Sequence, residues 1–313
     1  MSCSAFVAFP GQGSQHPNML TEGGILDIAQ SNDNLESMQC CSELISHDVV
    51  QLIEGKSENL LNQTSITQPI LLLCSYFHYQ KLMDNTDISP YALAGHSLGE
   101  YTALVAANSL SITSALQLVR KRGELMENTP NGSMAAILGL DMDVIEDICI
   151  KSSTGSVSTV QCANLNSANQ TVISGHKDSV QKAHELCLEK GAKRAIKLNV
   201  SIAAHSSLMN SAAEEFLVTL NNSDIKMPVI PIIHNTNAEY AKDLDELKSL
   251  LVSQLYSPVQ WVSTCKKISE NNSPIIECGP SKVLAGLFKS NKLEKLFSTS
   301  DKLFYEKISN YGQ

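Results

Sequence analysis

The sequence has no run of 18 or more apolar residues, and a candidate stretch such as that around Ile70 to Leu73 is too short to span a membrane. It has no excess of positive charge. Lys and Arg number 23 against 32 Asp and Glu, a formal net charge of −9, which argues against a surface built to neutralise a phosphate backbone and so against nucleic acid as a partner. The nine cysteines are odd in number, and no pair shows the two-residue spacing of zinc and redox sites, so free thiols in a reducing compartment are expected. The N-terminal MSCSAFVAFPGQGSQ lacks a basic region before its apolar run, and Pro10 and Gly11 break that run, so this segment is not expected to be a signal peptide. Internal repeats and low-complexity tracts are also missing. These absences predict a cytoplasmic protein that needs no membrane.

What is present suits a globular chain. In 313 residues, 43% are hydrophobic and 18% charged, enough for a sizeable core. The length fits two domains of about 150 residues or one large α/β domain carrying a small insertion.

Ala5 to Phe9 reads as a short buried strand that stops at Pro10-Gly11. Ile25 to Gly55 is mostly polar with apolar residues at helical spacings. A helix is predicted over Gln68 to Met83, with Pro69 at an early position, and a strand over Tyr91 to Ala94 ending at Gly95. Helices follow from Leu98 to about Asn108 and from about Ser111 to Glu127. Between Met134 and Asn199 the pattern becomes strand, helix, strand, strand, helix, strand, the split β-α-β order of a ferredoxin-like unit. Beyond it, strands at Val229 to Ile233 and Pro274 to Glu277 alternate with helices at Ser207 to Leu220, Leu244 to Leu255 and Ser281 to Lys289. Such alternation on both sides of an insertion predicts an α/β fold with a mainly parallel sheet covered by helices.

Gly95-His96-Ser97-Leu98-Gly99 fits the G-x-S-x-G pattern in the context that pattern needs, after a predicted strand and at the start of a helix. A sharp turn there lifts the serine oxygen off the sheet edge, and the Leu98 amide points toward a developing oxyanion. The alternative is a glycine-flanked turn with an N-capping serine. A nucleophilic serine needs a base, and there are eight histidines. His96 should diverge from Ser97, His176 and His184 lie in the inserted unit, and His16, His47 and His78 have no strand end or loop to support them. His205 and His234 remain, one in the loop leaving the inserted unit and one after a strand, where α/β folds place chemistry. No acidic residue stands out as a third member, so a dyad oriented by a neutral acceptor is as plausible as a triad.

On the helix over Ile112 to Glu127, a step of about 100° per residue puts Ile112, Ala115, Leu116, Leu118, Val119, Leu125 and Met126 on one face. Arg122 falls in the middle of that face, whereas Arg120 and Lys121 point away. An unpaired buried guanidinium is costly, so Arg122 has either an internal carboxylate, such as Glu100, or one supplied by a ligand.

With these residues in hand, the chain resembles the malonyl-CoA:acyl carrier protein transacylase family, the acyltransferases of fatty acid and polyketide synthesis. The likeness covers nearly the whole chain. It rests on Phe9-Pro-Gly-Gln-Gly-Ser-Gln15, Gly95-His-Ser-Leu-Gly-Glu-Tyr101, Leu118-Val-Arg-Lys-Arg-Gly123, Ala163-Asn-Leu-Asn-Ser167, Val200-Ser to His205, Gln254-Leu-Tyr-Ser-Pro-Val-Gln-Trp261 and Glu277-Cys-Gly-Pro280. The resemblance implies Ser97 as the acyl-bearing nucleophile, His205 as its base and the main-chain carbonyl of Gln254 as the group that orients the imidazole. It further implies that Gln12 and Leu98 supply the oxyanion-hole amides, that Arg122 binds the malonyl carboxylate, and that Ala204 and Asn164 line the substrate pocket. The fold it implies is an α/β-hydrolase-like large domain (1–129 and 199–313) with a ferredoxin-like small domain (130–198) inserted. No metal or other cofactor is called for. The resemblance implies an acyl carrier protein and a coenzyme A thioester as partners, and an enzyme that works as a monomer.

The chain departs from the family pattern at His16-Pro-Asn-Met19, at Ala168-Asn169 and at Ala203-Ala204. Ala204 leaves more room beside the acyl chain, whereas Leu98 is the type associated with malonyl rather than methylmalonyl units. Two rival functions stand beside transfer to a carrier protein: an acyl-thioester hydrolase and a non-catalytic docking subunit.

Overall fold

The computed structural model describes residues 3–56, 60–155 and 157–311. Two sheets organise them. The first is five-stranded and wholly parallel, built from β1 (Cys3–Phe9), β2 (Ile88–Gly95), β7 (Ile232–Ile233), β8 (Ile275–Glu277) and β9 (Leu296–Ser298) in the order β7-β2-β1-β8-β9. Helices cover both of its faces. The strands therefore read as continuous apolar runs rather than alternating ones: Ala5, Val7 and Phe9 pack into the main core, and Phe6 and Ala8 into a second cluster with Trp261 and Phe288.

The register sets the carboxyl ends of the central strands side by side. Phe9 pairs with Gly95, Ala8 with Glu277 and Ala94 with Ile233. From β1 the sheet continues to β2 on one side and to β8 on the other, the arrangement that opens a crevice beyond the strand ends.

The second sheet lies between Gly132 and Lys197 in the chain. It comprises β3 (Gly132–Leu138), β4 (Val160–Ser167), β5 (Gln170–His176) and β6 (Arg194–Lys197), all antiparallel, in the order β4-β5-β3-β6. The helices Met142–Ser152 and Lys177–Glu189 cover one face, burying Ala135, Ile137, Val160 and Ile173. The alternate residues Met134, Ala136, Ala163 and Val172 belong to the main core, so this sheet presses its other face on the larger body. Backbone bonds sew the two together: Leu165 N–H to Val259 O at 2.9 Å, Val259 N–H to Ala163 O at 2.8 Å and Gly132 N–H to Ser201 O at 2.9 Å.

Several elements differ from the sequence reading. The helix expected from Gln68 begins at Thr64 and runs to Asn85, which puts Pro69 in its interior. Lacking an N–H, Pro69 cannot satisfy the Ser65 carbonyl one turn back; Arg120 Nη1 donates to that oxygen instead, at 3.0 Å. The strand expected over Val229 to Ile233 is only Ile232–Ile233, because Pro228 and Pro231 interrupt the ladder. A helix over Trp261–Ser269, strand β9 and a helix over Phe304–Tyr311 were not anticipated. None of the helices among the described residues is long and apolar enough to cross a membrane.

Candidate active site

The chain leaves β2 through Gly95-His96-Ser97-Leu98-Gly99 and enters the helix Gly99–Ala106, every residue of which is buried. Ser97 sits at the apex with φ +52°, a left-handed conformation that non-glycine residues adopt only when their surroundings hold it. The flanking glycines make the turn possible. A Cβ on Gly95 would lie 1.8 Å from the Gly99 backbone, and one on Gly99 would lie 2.1 Å from the Phe9 carbonyl oxygen.

Ser97 Oγ lies 2.8 Å from His205 Nε2, and His205 Nδ1 lies 2.7 Å from the Gln254 main-chain oxygen. A carbonyl only accepts, so Nδ1 carries the proton and Nε2 offers its lone pair to the serine hydroxyl. Burial, with the nearby Arg122 charge as the second cause, pushes the His205 pKa down to about 3, which keeps the imidazole neutral. His205 is itself left-handed, at φ +59°. His234, the other candidate base, points elsewhere: its Nδ1 is 2.5 Å from Glu100 Oε1, and both side chains are buried.

Beside the dyad is a cavity of about 320 Å³ walled in part by Gln12, His96, Ser97, Asn164, Ala204 and His205, with Met126, Met134 and Ile202 supplying apolar wall. The Gln12 and Leu98 amides meet no backbone acceptor among the described residues. Gln12 borders the cavity, and Leu98 directly follows the elbow serine. Asn164 Oδ1 is buried without a hydrogen-bond partner among the described residues. His96 diverges from Ser97, bonding Asn166 at 2.9 Å through Nε2 and meeting Trp261 edge-on; burial lowers its pKa.

Arg122 is wholly buried and does not wall the cavity, although Met126, one turn further along the same helix, does. No direct bond joins it to Glu100, the carboxylate partner considered from sequence. Its Nη1 donates to Gln68 Oε1 and its Nη2 to Gln254 Oε1, each at 2.9 Å, and its Nε has no partner among the described residues. Gln254 stands between the two charges, its Nε2 donating to Glu100 Oε2 at 2.7 Å and to Ser97 O at 2.9 Å. One residue thus touches the histidine, the serine, the arginine and the glutamate. Its main-chain contact was implied by resemblance, but its side-chain contacts were not foreseen. Gln68 and Asn235 were missed outright; a polar residue inside the apolar Ile66 to Leu73 stretch was the only signal for Gln68.

The family model described as an acyl transferase domain matches residues 5–289. The malonyl CoA-acyl carrier protein transacylase of Haemophilus influenzae is 39% identical over 289 residues, 90% of this chain and 90% of that protein. The Escherichia coli K12 protein of the same name is 38% identical, over 92% of this chain and 93% of its own. Among solved structures, the malonyl CoA-acyl carrier protein transacylase of Coxiella burnetii superposes with a TM-score of 0.91 at 36% identity, covering 98% of this chain and 97% of that one. A malonyl-transacylase solved in complex with a type II PKS acyl-carrier protein gives 0.85 at 35% identity, with 95% of each chain covered.

Proposed function

The chain belongs to the acyl transferase family, and from that membership we propose that it carries malonyl groups from malonyl-CoA, through an ester on Ser97, to the phosphopantetheine thiol of an acyl carrier protein. It is an acyltransferase that supplies extender units for fatty acid or polyketide synthesis. The observation that carries the choice of donor is Arg122. Two uncharged amides hold its guanidinium directly and the Glu100 carboxylate is reached only through Gln254, so the buried charge has no directly bonded anion, one helical turn from the cavity wall. An enzyme for uncharged acyl chains has no use for that charge, whereas the free carboxylate of a malonyl group supplies the missing partner.

In the first half-reaction Ser97 Oγ attacks the thioester carbonyl carbon while His205 Nε2 takes its proton. Gln12 and Leu98 amides receive the oxyanion. The carbon–sulfur bond then breaks, and His205 returns the proton to the leaving coenzyme A sulfur. In the second half the carrier's thiol gives its proton to His205, attacks malonyl-Ser97 and leaves with the malonyl group, restoring the serine. Gln254 O holds the imidazole throughout. Proton transfer and one covalent ester suffice, so no metal or other cofactor enters the scheme. Asn164 and Ala204 border the acyl and pantetheine path, Asn164 with an acceptor free for an amide N–H.

The carrier protein docks, in this reading, on the exposed Lys193, Arg194 and Lys197 of the small sheet's free edge, next to Leu198 and Val200 at the cavity mouth. Lys289 and Lys292 are exposed as well, whereas Lys282 pairs with Asp301. The parallel sheet supports an α/β-hydrolase-like body over 1–129 and 199–313. The β-α-β-β-α-β run supports a ferredoxin-like unit over 130–198. Nine free cysteines suit the cytoplasm.

The test is a competition among acceptors. With malonyl-CoA as donor and holo carrier protein and water both present, the malonyl group should pass to the carrier and release of free malonate should be minor. Predominant hydrolysis would make the chain a thioester hydrolase, and no turnover would make it a docking subunit.

A further inference from the structure

We propose that Asn235 is a positioning residue for the nucleophile, a brace that holds the left-handed Ser97 peptide; this rests on the reading of Ser97 as the acyl-bearing serine. Asn235 follows His234 in the loop after β7 and is 2% exposed. Its side-chain amide lies against the elbow. Oδ1 accepts the Ser97 N–H at 2.6 Å, and Nδ2 donates to the Gly95 carbonyl at 2.6 Å. The orientation of the amide is unambiguous, since a backbone N–H only donates and a carbonyl only accepts. One planar group therefore fixes both peptides that flank His96, and with them the direction in which Ser97 leaves the sheet.

The brace is itself anchored. The Asn235 N–H reaches Glu100 Oε2 at 3.3 Å, and its carbonyl accepts from Gln260 N–H at 2.8 Å. Glu100 belongs to the helix that the elbow starts, and the same carboxylate takes the Gln254 amide and His234 Nδ1. Gln254 closes the other side by donating to Ser97 O. Both backbone polar groups of Ser97 are thus engaged by amide side chains from distant segments, and a φ of +52° is what they hold. A second consequence concerns the oxyanion. With its own N–H given to Asn235, Ser97 cannot contribute that donor to a bound acyl oxygen, which leaves the Leu98 and Gln12 amides for it.

Replacing Asn235 with Ala strands a buried N–H and a buried carbonyl and frees the elbow to relax. The test uses a probe that reads serine nucleophilicity without any malonyl group: diisopropyl fluorophosphate, which forms a Ser97 oxygen–phosphorus bond as the phosphorus–fluorine bond breaks and the serine proton leaves with fluoride. Asn235→Ala should slow this labelling and the kcat for malonyl transfer together, by about 10²-fold, the scale of a misplaced reacting group. The KM for malonyl-CoA should stay within about threefold, because Asn235 does not wall the cavity. Asn235→Asp keeps an acceptor for the Ser97 N–H and should recover about tenfold of the loss. If Ser97 reacts with the probe equally fast in wild type and Asn235→Ala, the brace is overturned and the transacylase reading stands. Equal losses in the Ala and Asp variants with cooperative melting retained also overturn it, because the acceptor kept for the Ser97 N–H then contributes nothing. A brace effect on the probe in a protein that never takes malonyl supports the brace and overturns the transacylase reading.

Discussion

His205 and His234 are both almost wholly buried, 3% and 1% exposed, and both lie beside the elbow, yet they are built for different work. His205 gives its Nδ1–H to a neutral carbonyl and keeps Nε2 on a hydroxyl. His234 faces a buried carboxylate through Nδ1, and its Nε2 meets no partner among the described residues. The difference teaches that burial and a strand-end position do not make a base. What separates the two imidazoles is whether a reactive hydroxyl stands on the free nitrogen.

Breaking each histidine in turn gives the largest expected effect. His205→Ala should slow acylation by about 10⁴-fold, the scale of a lost catalytic base, with little change in melting temperature. His234→Ala should cost chiefly stability, on the order of 3 kcal/mol, by leaving Glu100 buried without that donor. Single-turnover acylation and thermal melts on both variants check this; a slower His234 variant than His205 variant would reverse the assignment.

Arg122 comes next. If its guanidinium makes two charge-assisted hydrogen bonds to the malonyl carboxylate, each about 1.5 to 3 kcal/mol, Arg122→Ala should cut malonyl transfer by about 10² to 10⁴-fold. Acetyl transfer should hold steady or improve, since an unpaired buried charge is removed. Lys should restore only part of the rate, lacking the planar fork. Equal losses for both donors, in steady-state assays with malonyl-CoA and acetyl-CoA, would make Arg122 a structural residue.

A third outcome sharpens the contrast through pH. The proposed role of His205, accepting the serine proton, requires a neutral imidazole, and a pKa of about 3 keeps it so well below neutrality. The kcat/KM for malonyl-CoA, which reports the free enzyme, should therefore be flat from about pH 8 to about pH 5. An acid limb near the ordinary histidine value of 6.5 would show that burial and the Arg122 charge do not act as described. The smallest effect concerns docking: reversing Lys193, Arg194 and Lys197 should raise the KM for the carrier protein roughly tenfold at low salt and leave malonyl-CoA kinetics alone. Equal effects on both substrates would remove these residues from the docking surface.

The sequence made some of this legible because the constraint is local. Gly95 and Gly99 bracket Ser97 where a strand meets a helix, and both glycines are sterically required there. Arg122 stands out from helical period alone. The parallel sheet follows from runs such as Ala5 to Phe9. What stayed hidden is non-local. Gln68, Asn235 and Gln254 act through single amides brought from segments far apart in the chain, which leave no period or spacing to read. Short edge strands such as Leu296–Ser298 carry too few residues to show a pattern, whereas Pro231 was a legible sign that little of the Val229 to Ile233 run could pair. The choice between His205 and His234 needed their partners, and only the fold supplies those.

The most direct measurement is the mass of the covalent intermediate. After brief incubation with malonyl-CoA and no acceptor, the peptide containing Ser97 should carry one malonyl group, and Ser97→Ala should carry none. A malonyl group found instead on a thiol such as Cys74 or Cys278, or no adduct on wild type, would contradict malonyl transfer through Ser97.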